Sequence, residues 1–466
     1  MSTTPETETL YRRPLPPGFL FGVATAAGQI EGGASLGGRT PSIWDVFAGI
    51  PGRIADGSSG QVAVDHVHRW PEDLALLADL GVGGYRFSLS WPRVQPHGTG
   101  PASPEGLGFY DRLVDALLAA GIEPFVSLFH WDLPLELMEH GGWLIRETAE
   151  RFADYAAVAA AALGDRVAAW TTVDEPLLHM AYGHAVGIDA PGLTLLGGAF
   201  QVTHHQLLAH GRAVQVLRSA TDGRIGIVNH HTTVDPASRS RSDIAAAACY
   251  HAYHNRQFTD PVLRGNYPDE ILAMPGVAED VISDGDLEVI SAPLDFYGVS
   301  FYHPTVIAAA HGNVSVPFTL EEMPGGSTLR FRMAGAARVP DSIAGRSHGR
   351  VSVAATAVRG GERLCLHRCR ESRQRAGHRR RAGRRCRPDR LPGRSSGRRR
   401  RCRGRWLRRP RLFLLDVAGL LGMDGWIHPE FRPDTRGPGN PRPSSPRVFS
   451  PLSGADQQAP GMSVMC

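Results

Sequence analysis

The sequence has 466 residues, and all 50 of its basic side chains are arginine, because no lysine occurs in it. Its formal net charge of +4 divides unevenly: residues 1–340 hold 21 arginines against 37 acidic residues, a net of −16, whereas residues 341–466 hold 29 against 9, a net of +20. A uniformly mild basic character is therefore excluded, and the asymmetry needs an explanation. Six cysteines are too few for a disulfide scaffold.

Neither a secretory signal nor a membrane span is predicted. Residues 1–17 are polar and lack an apolar core. The longest run of small apolar residues, Tyr155–Leu163, is far shorter than the ~20 residues that cross a bilayer. We therefore expect a cytoplasmic protein without a membrane partner. Cys365 and Cys369 have a spacing that zinc ligands use, but no second pair of this kind follows, so we predict no metal site.

The first 300 residues alternate short strand-like runs with longer helical ones. The strand-like runs are, in chain order, Phe21–Ala24, Gly84–Phe87, Pro124–Leu128, Ala169–Thr172, Arg224–Val228 and Asp295–Val299. Helical spacing of apolar residues marks Pro71–Leu80, Phe109–Ala120 and Glu147–Leu163. This alternation predicts parallel βα units, and six units fit an α/β (β/α)8 TIM barrel that needs two more. A doubly wound sheet is the alternative, although no glycine fingerprint follows the first strand.

The alternation stops at about residue 340. Residues 345–411 are mostly Arg, Gly, Ala, Cys and Ser without a helical or strand period, and Arg398–Arg401 are four arginines in succession. Such a segment cannot bury enough apolar surface to offset its chain entropy. We therefore divide the sequence into a barrel region, residues 1–340, and an arginine-rich segment, residues 341–466, which is predicted to be disordered and lacks the last two βα units.

The strongest chemical signal is the run Trp-Thr-Thr-Val-Asp-Glu-Pro at residues 170–176. It places Glu175 just past a strand, at the end where barrel enzymes carry their chemistry, and Pro176 restricts the backbone there. By itself the run could be an ordinary acidic loop. Other strands end similarly, in Ala-Gly-Gln-Ile-Glu-Gly at 27–32, Ser-Leu-Ser-Trp-Pro-Arg at 88–93 and Phe-His-Trp-Asp-Leu-Pro at 129–134. Aromatic faces and hydrogen-bonding groups of this kind suit a hydroxyl-rich substrate.

Together these motifs resemble glycoside hydrolase family 1, the β-glucosidase family. The resemblance covers about residues 10–305 and continues through matching runs at 183–192, 204–211, 260–268 and 295–302. It implies a (β/α)8 barrel that hydrolyses β-linked glycosides with retention of configuration and uses no cofactor. The expected partner is therefore a small β-glycoside or an oligosaccharide.

Four residues match the family's substrate site, and a fifth position departs from it. Glu175 matches the general acid/base, and Gln29, His130 and Trp131 match positions that bind the glycone. Asp174 stands where the family usually has an asparagine that contacts the sugar 2-hydroxyl. Unless it is protonated or paired, its charge would raise the proton affinity of Glu175, and a carboxylate cannot donate a hydrogen bond as an amide does.

The catalytic nucleophile has supporting residues but no counterpart of its own. A retaining glycosidase needs two carboxyl groups roughly 5 Å apart, one protonated and one ionised. Tyr302, also a candidate for substrate binding, matches the tyrosine that hydrogen-bonds the nucleophile, and Arg86 matches an arginine beneath it. Both would keep a carboxylate ionised. The family's Thr-Glu-Asn-Gly motif on strand seven and its Glu-Trp pair after strand eight do not occur, so the nucleophile is unknown and we predict that activity is lost.

A shifted reading frame would explain both the missing motifs and the arginines. GC-rich DNA favours arginine codons over lysine codons, and out of frame it encodes Arg, Gly, Ala, Pro and Cys. Moved one base forward, the codons of Gly422–Asp424 permit Glu-Trp, those of Arg370–Ser372 permit Glu-Asn, and those of Cys386–Pro392 permit Asp-Arg-Ile-Asp-Tyr-Leu. These matches follow the family's order and spacing. We therefore predict that the segment is the out-of-frame remainder of the barrel.

Two alternatives stay open beside a β-glucosidase that acts from the non-reducing end. The arginine-rich segment could be a genuine arm that binds nucleic acid or another polyanion, joined to an inactive sugar-binding barrel. It lacks interleaved aromatic residues and any recognisable nucleic-acid fold, so a nucleic-acid partner is not expected. The other alternative is an inactive pseudo-glycosidase. The motifs leave the choice among glucose, galactose and fucose undecided.

Overall fold

Nine strands form two sheets in the computed structural model, which describes residues 18–311 and 316–321. The strands are β1 (Gly22–Thr25), β2 (Gly84–Ser88), β3 (Glu123–Phe129), β4 (Ala169–Asp174), β5 (Arg224–His231), β6 (Val234–Pro236), β7 (Phe296–Phe301), β8 (Thr305–Ala309) and β9 (Phe318–Glu321). The larger sheet has the order β1-β2-β3-β4-β5-β7 and is parallel throughout. All six predicted strands are present, within a few residues at each end.

Helices connect the strands of the larger sheet. They are α1 (Ala27–Ile30), α2 (Ile43–Gly49), α3 (His66–Leu80), α4 (Trp91–Val94), α5 (Pro104–Ala119), α6 (Leu135–Glu139), α7 (Glu147–Leu163), α8 (Pro176–Leu178), α9 (Phe200–Ala220), α10 (Arg241–His251), α11 (Gln257–Arg264), α12 (Asp269–Leu272) and α13 (Asp286–Ile290). Two π-helical segments, His179–Ala185 and Ala252–Arg256, follow α8 and α10. Over the described residues, no helix combines the length and the apolar character that crossing a bilayer requires.

The three helices predicted from apolar spacing are present, and two of them begin earlier than predicted. Helix α7 has the predicted bounds, but α5 begins at Pro104 because Ser103 caps it: its hydroxyl accepts a hydrogen bond from the Gly106 amide at 3.1 Å. Pro104 then occupies the first helical position, where a missing N–H costs nothing. These terminal signals lie outside the apolar stripe on which the prediction rested.

Aromatic side chains join the sheet to the helices. The indole of Trp91 stacks on Tyr155 of α7 with ring centroids 4.9 Å apart, and both rings are completely buried. The Tyr155 hydroxyl donates to the Leu128 carbonyl of β3 at 3.0 Å. Phe129 and Trp143 complete this cluster with centroids 5.2 Å apart. Burying 150–250 Å² of each ring stabilises the fold by roughly 4–6 kcal/mol before the entropy cost of ordering it.

The smaller sheet was not predicted from the sequence. Strand β8 pairs in parallel with β6 and antiparallel with β9, and Phe318 of β9 packs edge-on against Tyr250 of α10 at 5.1 Å. These strands have three to five residues each, too short for an alternating pattern to be recognised.

The described residues contain six parallel βα strands in sequential order, as expected of the first three-quarters of a (β/α)8 barrel. The predicted fold class is confirmed for this part. The arginine-rich segment, the cysteine pair at 365 and 369, the shifted-frame codons and the boundary at residue 340 lie outside the described residues.

Candidate active site

The strand-to-helix turn after β4 positions two successive carboxylates, those of Asp174 and Glu175. The pairing of β4 with β5 is irregular between Thr171 and Asp174, and a bulge of this kind redirects side chains at the end of a strand. Glu175 then adopts a left-handed conformation, with φ 49° and ψ 57°, which is strained for a residue with a Cβ. Its amide donates to the Val228 carbonyl at 2.8 Å, and Pro176 begins α8. The turn is thus held from both sides, and the Glu175 side chain is almost completely buried.

Asp174 forms a buried ion pair with Arg86. Its Oδ2 accepts from the Arg86 guanidinium at 2.5 Å and from the Ser127 hydroxyl at 2.8 Å. The three side chains come from β4, β2 and β3, and all three residues are at most 5% exposed. The sequence left open whether Asp174 is paired. Because it is, the Arg86 guanidinium offsets the negative charge of Asp174 beside Glu175.

His130 and Trp131 follow β3 and lie against the same aspartate. The Trp131 indole N–H donates to the backbone carbonyl of Asp174 at 2.9 Å, and Trp131 has a positive φ of 77°. His130 Nδ1 lies 3.7 Å from Asp174 Oδ2, and its ring meets Trp131 edge-on at 4.9 Å. Backbone and side-chain contacts therefore place both predicted glycone-binding rings beside the carboxylates.

Tyr302 reaches the same place from the end of β7. Its hydroxyl donates to Glu175 Oε1 at 3.4 Å. The family resemblance pairs this tyrosine with the nucleophile, and that role stays a prediction because the glutamates beyond residue 340 lie outside the described residues. The structure thus adds a contact between Tyr302 and the acid/base candidate that the sequence did not predict.

Gln29 lies on the short helix α1 after β1 and is half-buried. The Ala27 amide donates to the Ser88 hydroxyl at 2.8 Å, which ties α1 to the end of β2. Gly28 faces the β3 loop: a Cβ built on it would lie 4.0 Å from the Asp132 Cβ. Gln29 is therefore placed on the rim that also carries His130.

A buried ion pair between Arg93 and Glu31 holds the C-terminal end of α1 in place. Arg93 Nε donates to Glu31 Oε2 at 2.8 Å, and the Tyr110 hydroxyl donates to Glu31 Oε1 at 2.6 Å. Arg93 also donates to the Gly32 carbonyl at 2.9 Å. Burial raises the pKa of Tyr110 well above its ordinary value, so the phenol stays protonated and keeps donating. Arg93 of α4 and Tyr110 of α5 thus fix the end of the helix that carries Gln29.

Three buried titratable residues near this site, Asp132, His179 and His184, have no role predicted from the sequence. Burial raises the pKa of Asp132 to about 8, although the charge of Arg39 opposes the shift. Burial also lowers the pKa of His184 to about 4 and that of His179 well below its ordinary value. All three groups therefore favour their uncharged forms at neutral pH. Their positions shortly after His130-Trp131 and Glu175-Pro176 are the only signal that the sequence carries for them.

Within the described ranges, no group of three or more His, Cys, Asp or Glu side chains could hold a metal ion. The arrangement instead offers a buried carboxyl group, an adjacent carboxylate balanced by arginine, and aromatic and amide groups around them. These are the means to protonate a leaving group and to bind hydroxyl groups.

Known proteins match this chain over the same region. A model of glycosyl hydrolase family 1 matches residues 11–326. A β-glucosidase of an Agrobacterium species is 44% identical over 308 residues, which are 66% of this chain and 67% of that protein. A bifunctional β-D-glucosidase/β-D-fucosidase of Bifidobacterium breve is 45% identical over 303 residues, 63% of this chain and 64% of that protein.

A solved structure agrees with these relatives. The β-glucosidase of Thermotoga maritima in complex with castanospermine superposes with a TM-score of 0.63 at 41% identity, over 66% of this chain and 70% of that one. The chain thus spans about two thirds of the length of the curated relatives it matches. Since the family model covers more than half of the sequence and the motifs around Glu175 lie within it, the chain belongs to glycosyl hydrolase family 1.

Proposed function

We propose that this chain carries the acid/base half of the site of a retaining β-glucosidase. The observation on which the proposal depends is the placement of Glu175: it is buried, held in a strained turn at the carboxyl end of β4, and next to a carboxylate whose charge is balanced by Arg86. Burial disfavours the ionised form of a carboxyl group. Glu175 therefore suits the general acid, which must be protonated before the glycosidic bond breaks.

The surrounding residues define how the acid would act. Tyr302 donates to Oε1 of Glu175, so the acid proton is assigned to Oε2. That proton passes to the glycosidic oxygen while a nucleophile bonds to the anomeric carbon and the bond between this carbon and the oxygen breaks, so the aglycone leaves as an alcohol and Glu175 is left as a carboxylate. Trp131, His130 and Gln29 are proposed to hold the glycone by stacking and by hydrogen bonds to its hydroxyl groups.

Asp174 makes one contact with the sugar different from the family's usual one. Its Oδ2 is occupied by Arg86 and Ser127, while Oδ1 is buried and makes no hydrogen bond among the described residues. A carboxylate oxygen only accepts hydrogen bonds. We therefore propose that the sugar 2-hydroxyl donates to Asp174 instead of exchanging donor and acceptor roles with an amide.

The second half of the site, the nucleophile, is proposed to be missing from this sequence. Loss of a covalent nucleophile costs many orders of magnitude in turnover. The preference for glucose and the cytoplasmic location also stay predictions. The alternative of an inactive sugar-binding barrel with a polyanion-binding arm depends on residues outside the described ranges, and no observation in the structure favours it.

Azide as an external nucleophile tests this proposal. Phenyl β-D-glucoside is incubated with the full chain with and without sodium azide, and the products are identified by NMR. Azide would attack the anomeric carbon from the face opposite to the leaving group, the bond to the phenolic oxygen would break, and that oxygen would take the Glu175 proton. We expect α-glucosyl azide and phenol with azide, and no hydrolysis without it.

Two variants identify the acid. Glu175→Gln cannot give up a proton, so azide-dependent cleavage of phenyl glucoside should fall by roughly 10²- to 10⁴-fold. Cleavage of 2,4-dinitrophenyl β-D-glucoside, whose leaving group needs no proton, should change far less. Glu147→Gln, on the exposed side of α7, is the matched control and should resemble the unchanged chain. Hydrolysis without azide, or a β-glucosyl azide product, would show that the chain supplies its own nucleophile; no azide product from a folded chain would disprove the role of Glu175.

A further inference from the structure

A row of three hydrogen-bonded side chains, Tyr250, His254 and His230, leads to Tyr302, the tyrosine that contacts Glu175. The Tyr250 hydroxyl lies 3.0 Å from Nδ1 of His254, and Nε2 of His254 lies 2.9 Å from Nδ1 of His230. The His230 ring stacks on the ring of Tyr302, with centroids 5.2 Å apart and planes inclined by 21°. This row of side chains extends from α10, through the π-helical segment that follows it, to the end of β5.

Sheet register brings the last two rings together. Strands β5 and β7 pair so that His230 lies opposite Ser300 and His231 opposite Phe301. Tyr302 is the first residue after β7, so it leaves the sheet beside the end of β5. Because successive residues of a strand point to opposite faces, His230 and His231 diverge: His231 bonds Asn255 at 3.1 Å and the Tyr297 hydroxyl at 2.8 Å.

The imidazoles of His230 and His254 are both neutral. Burial lowers the pKa of His230 to about 3 and that of His254 well below its ordinary value, and the neighbouring histidines push the pKa values in the same direction. A neutral imidazole has one donor and one acceptor nitrogen. The protons can therefore be ordered in two ways, from Tyr250 through His254 to His230 or in the reverse direction. Both bonds are satisfied in either case, so the rings keep one geometry.

We propose that His254 and His230 are positioning residues that hold the Tyr302 ring in place against Glu175. This inference rests on the proposed function of Glu175. A stacked ring restricts its neighbour only if it is itself prevented from turning, and the bond from His254 prevents the rotation of His230. With Tyr302 held, its hydroxyl stays on Oε1 and the acid proton stays on Oε2.

The variant His254→Phe tests the proposal, because it keeps a ring but removes both hydrogen bonds. His231→Phe is the matched control: it removes two hydrogen bonds from the neighbouring histidine, which is directed toward Asn255 and Tyr297. Azide-dependent cleavage of phenyl β-D-glucoside should fall roughly 10- to 100-fold in His254→Phe, as expected for a displaced catalytic group. Cleavage of 2,4-dinitrophenyl β-D-glucoside should change little in either variant. Equal losses on both substrates would indicate a merely structural role and overturn the proposal.

A second measurement keeps the proposal testable if the unchanged chain forms no glucosyl azide, which would count against the proposed function alone. Tyrosine rings are labelled with ¹³C, and the Tyr302 signal is identified from its loss in Tyr302→Phe. His254→Phe should shift or broaden this signal, whereas His231→Phe should leave it in place. A Tyr302 signal that does not respond to His254→Phe would overturn the positioning role, whatever the result with azide.

Discussion

The ion pair between Arg86 and Asp174 predicts a large and specific loss of stability in Arg86→Met. Methionine is apolar and of comparable length, so the change removes the cation with little loss of packing. The Asp174 carboxylate would then be completely buried with the Ser127 hydroxyl at 2.8 Å and His130 at 3.7 Å, but without the guanidinium at 2.5 Å.

Removing one partner of a buried ion pair costs about 3–5 kcal/mol, because the remaining charge is uncompensated. For a folded region of roughly 300 residues, an unfolding entropy of ~2.1 cal/mol/K per residue converts this loss into a fall in Tm of about 5–8 °C. The double variant Arg86→Met/Asp174→Asn carries no stranded charge. It should therefore regain roughly half of the loss or more, because a neutral pair of similar volume is tolerated in place of a buried ion pair.

The assay is thermal and urea unfolding of the full chain, with Asp174→Asn completing a double-mutant cycle. Arg151→Met is the control, since Arg151 pairs with Glu147 on the exposed side of α7, and exposed pairs of this kind contribute at most about 1 kcal/mol. If Arg86→Met lost no more stability than Arg151→Met, or if the double variant were no more stable than Arg86→Met, an uncompensated charge on Asp174 would not be the cause of the loss.

Three further outcomes are expected. Burial lowers the pKa of His210 to about 3, below the ~6.5 of an unfolded chain, so the contribution of His210 to folding stability is complete above pH ~6.5 and is lost as the pH falls. His210→Gln should therefore reduce the dependence of the urea midpoint on pH between pH 6.5 and 4, and an unchanged slope would contradict this. A Cβ at Gly106 would lie 2.0 Å from the Arg93 carbonyl, whereas one at Gly108 would meet only a side-chain atom at 3.4 Å. Gly106→Ala should therefore destabilise the protein, and Gly108→Ala should stabilise it by up to ~1 kcal/mol. Equal Tm values for the two variants would show that the close contact at Gly106 has no effect. The pKa of Asp132 is raised to about 8, so the folded chain holds a proton that the unfolded chain releases above pH ~4, and folding stability falls as the pH rises toward 8. Asp132→Asn should therefore raise the urea midpoint more at pH 8 than at pH 5.

The six strands and the position of Glu175 could be predicted because they depend on local signals. Strand-like runs recur between amphipathic ones, and the carboxyl ends of parallel strands meet at one edge of the sheet. The run at 170–176 therefore suffices to place an acidic residue at that edge. Helix α7 has the bounds predicted for it, Glu147–Leu163, because its apolar stripe extends over its whole length. The chemical roles of the site residues stay predictions that the variants above test.

The sequence by itself determined the family, the order of the strands and the absence of the expected nucleophile motif, because each of these is written in consecutive residues. Only the tertiary structure decided which side chains meet. Asp174 pairs with Arg86, 88 positions away, and Tyr302 reaches Glu175 across 127 positions. Such contacts depend on the register of neighbouring strands and on the strained turn at Glu175, and neither leaves a periodic pattern in the chain. The physical consequence is a balanced charge at Asp174, which the sequence had left undecided.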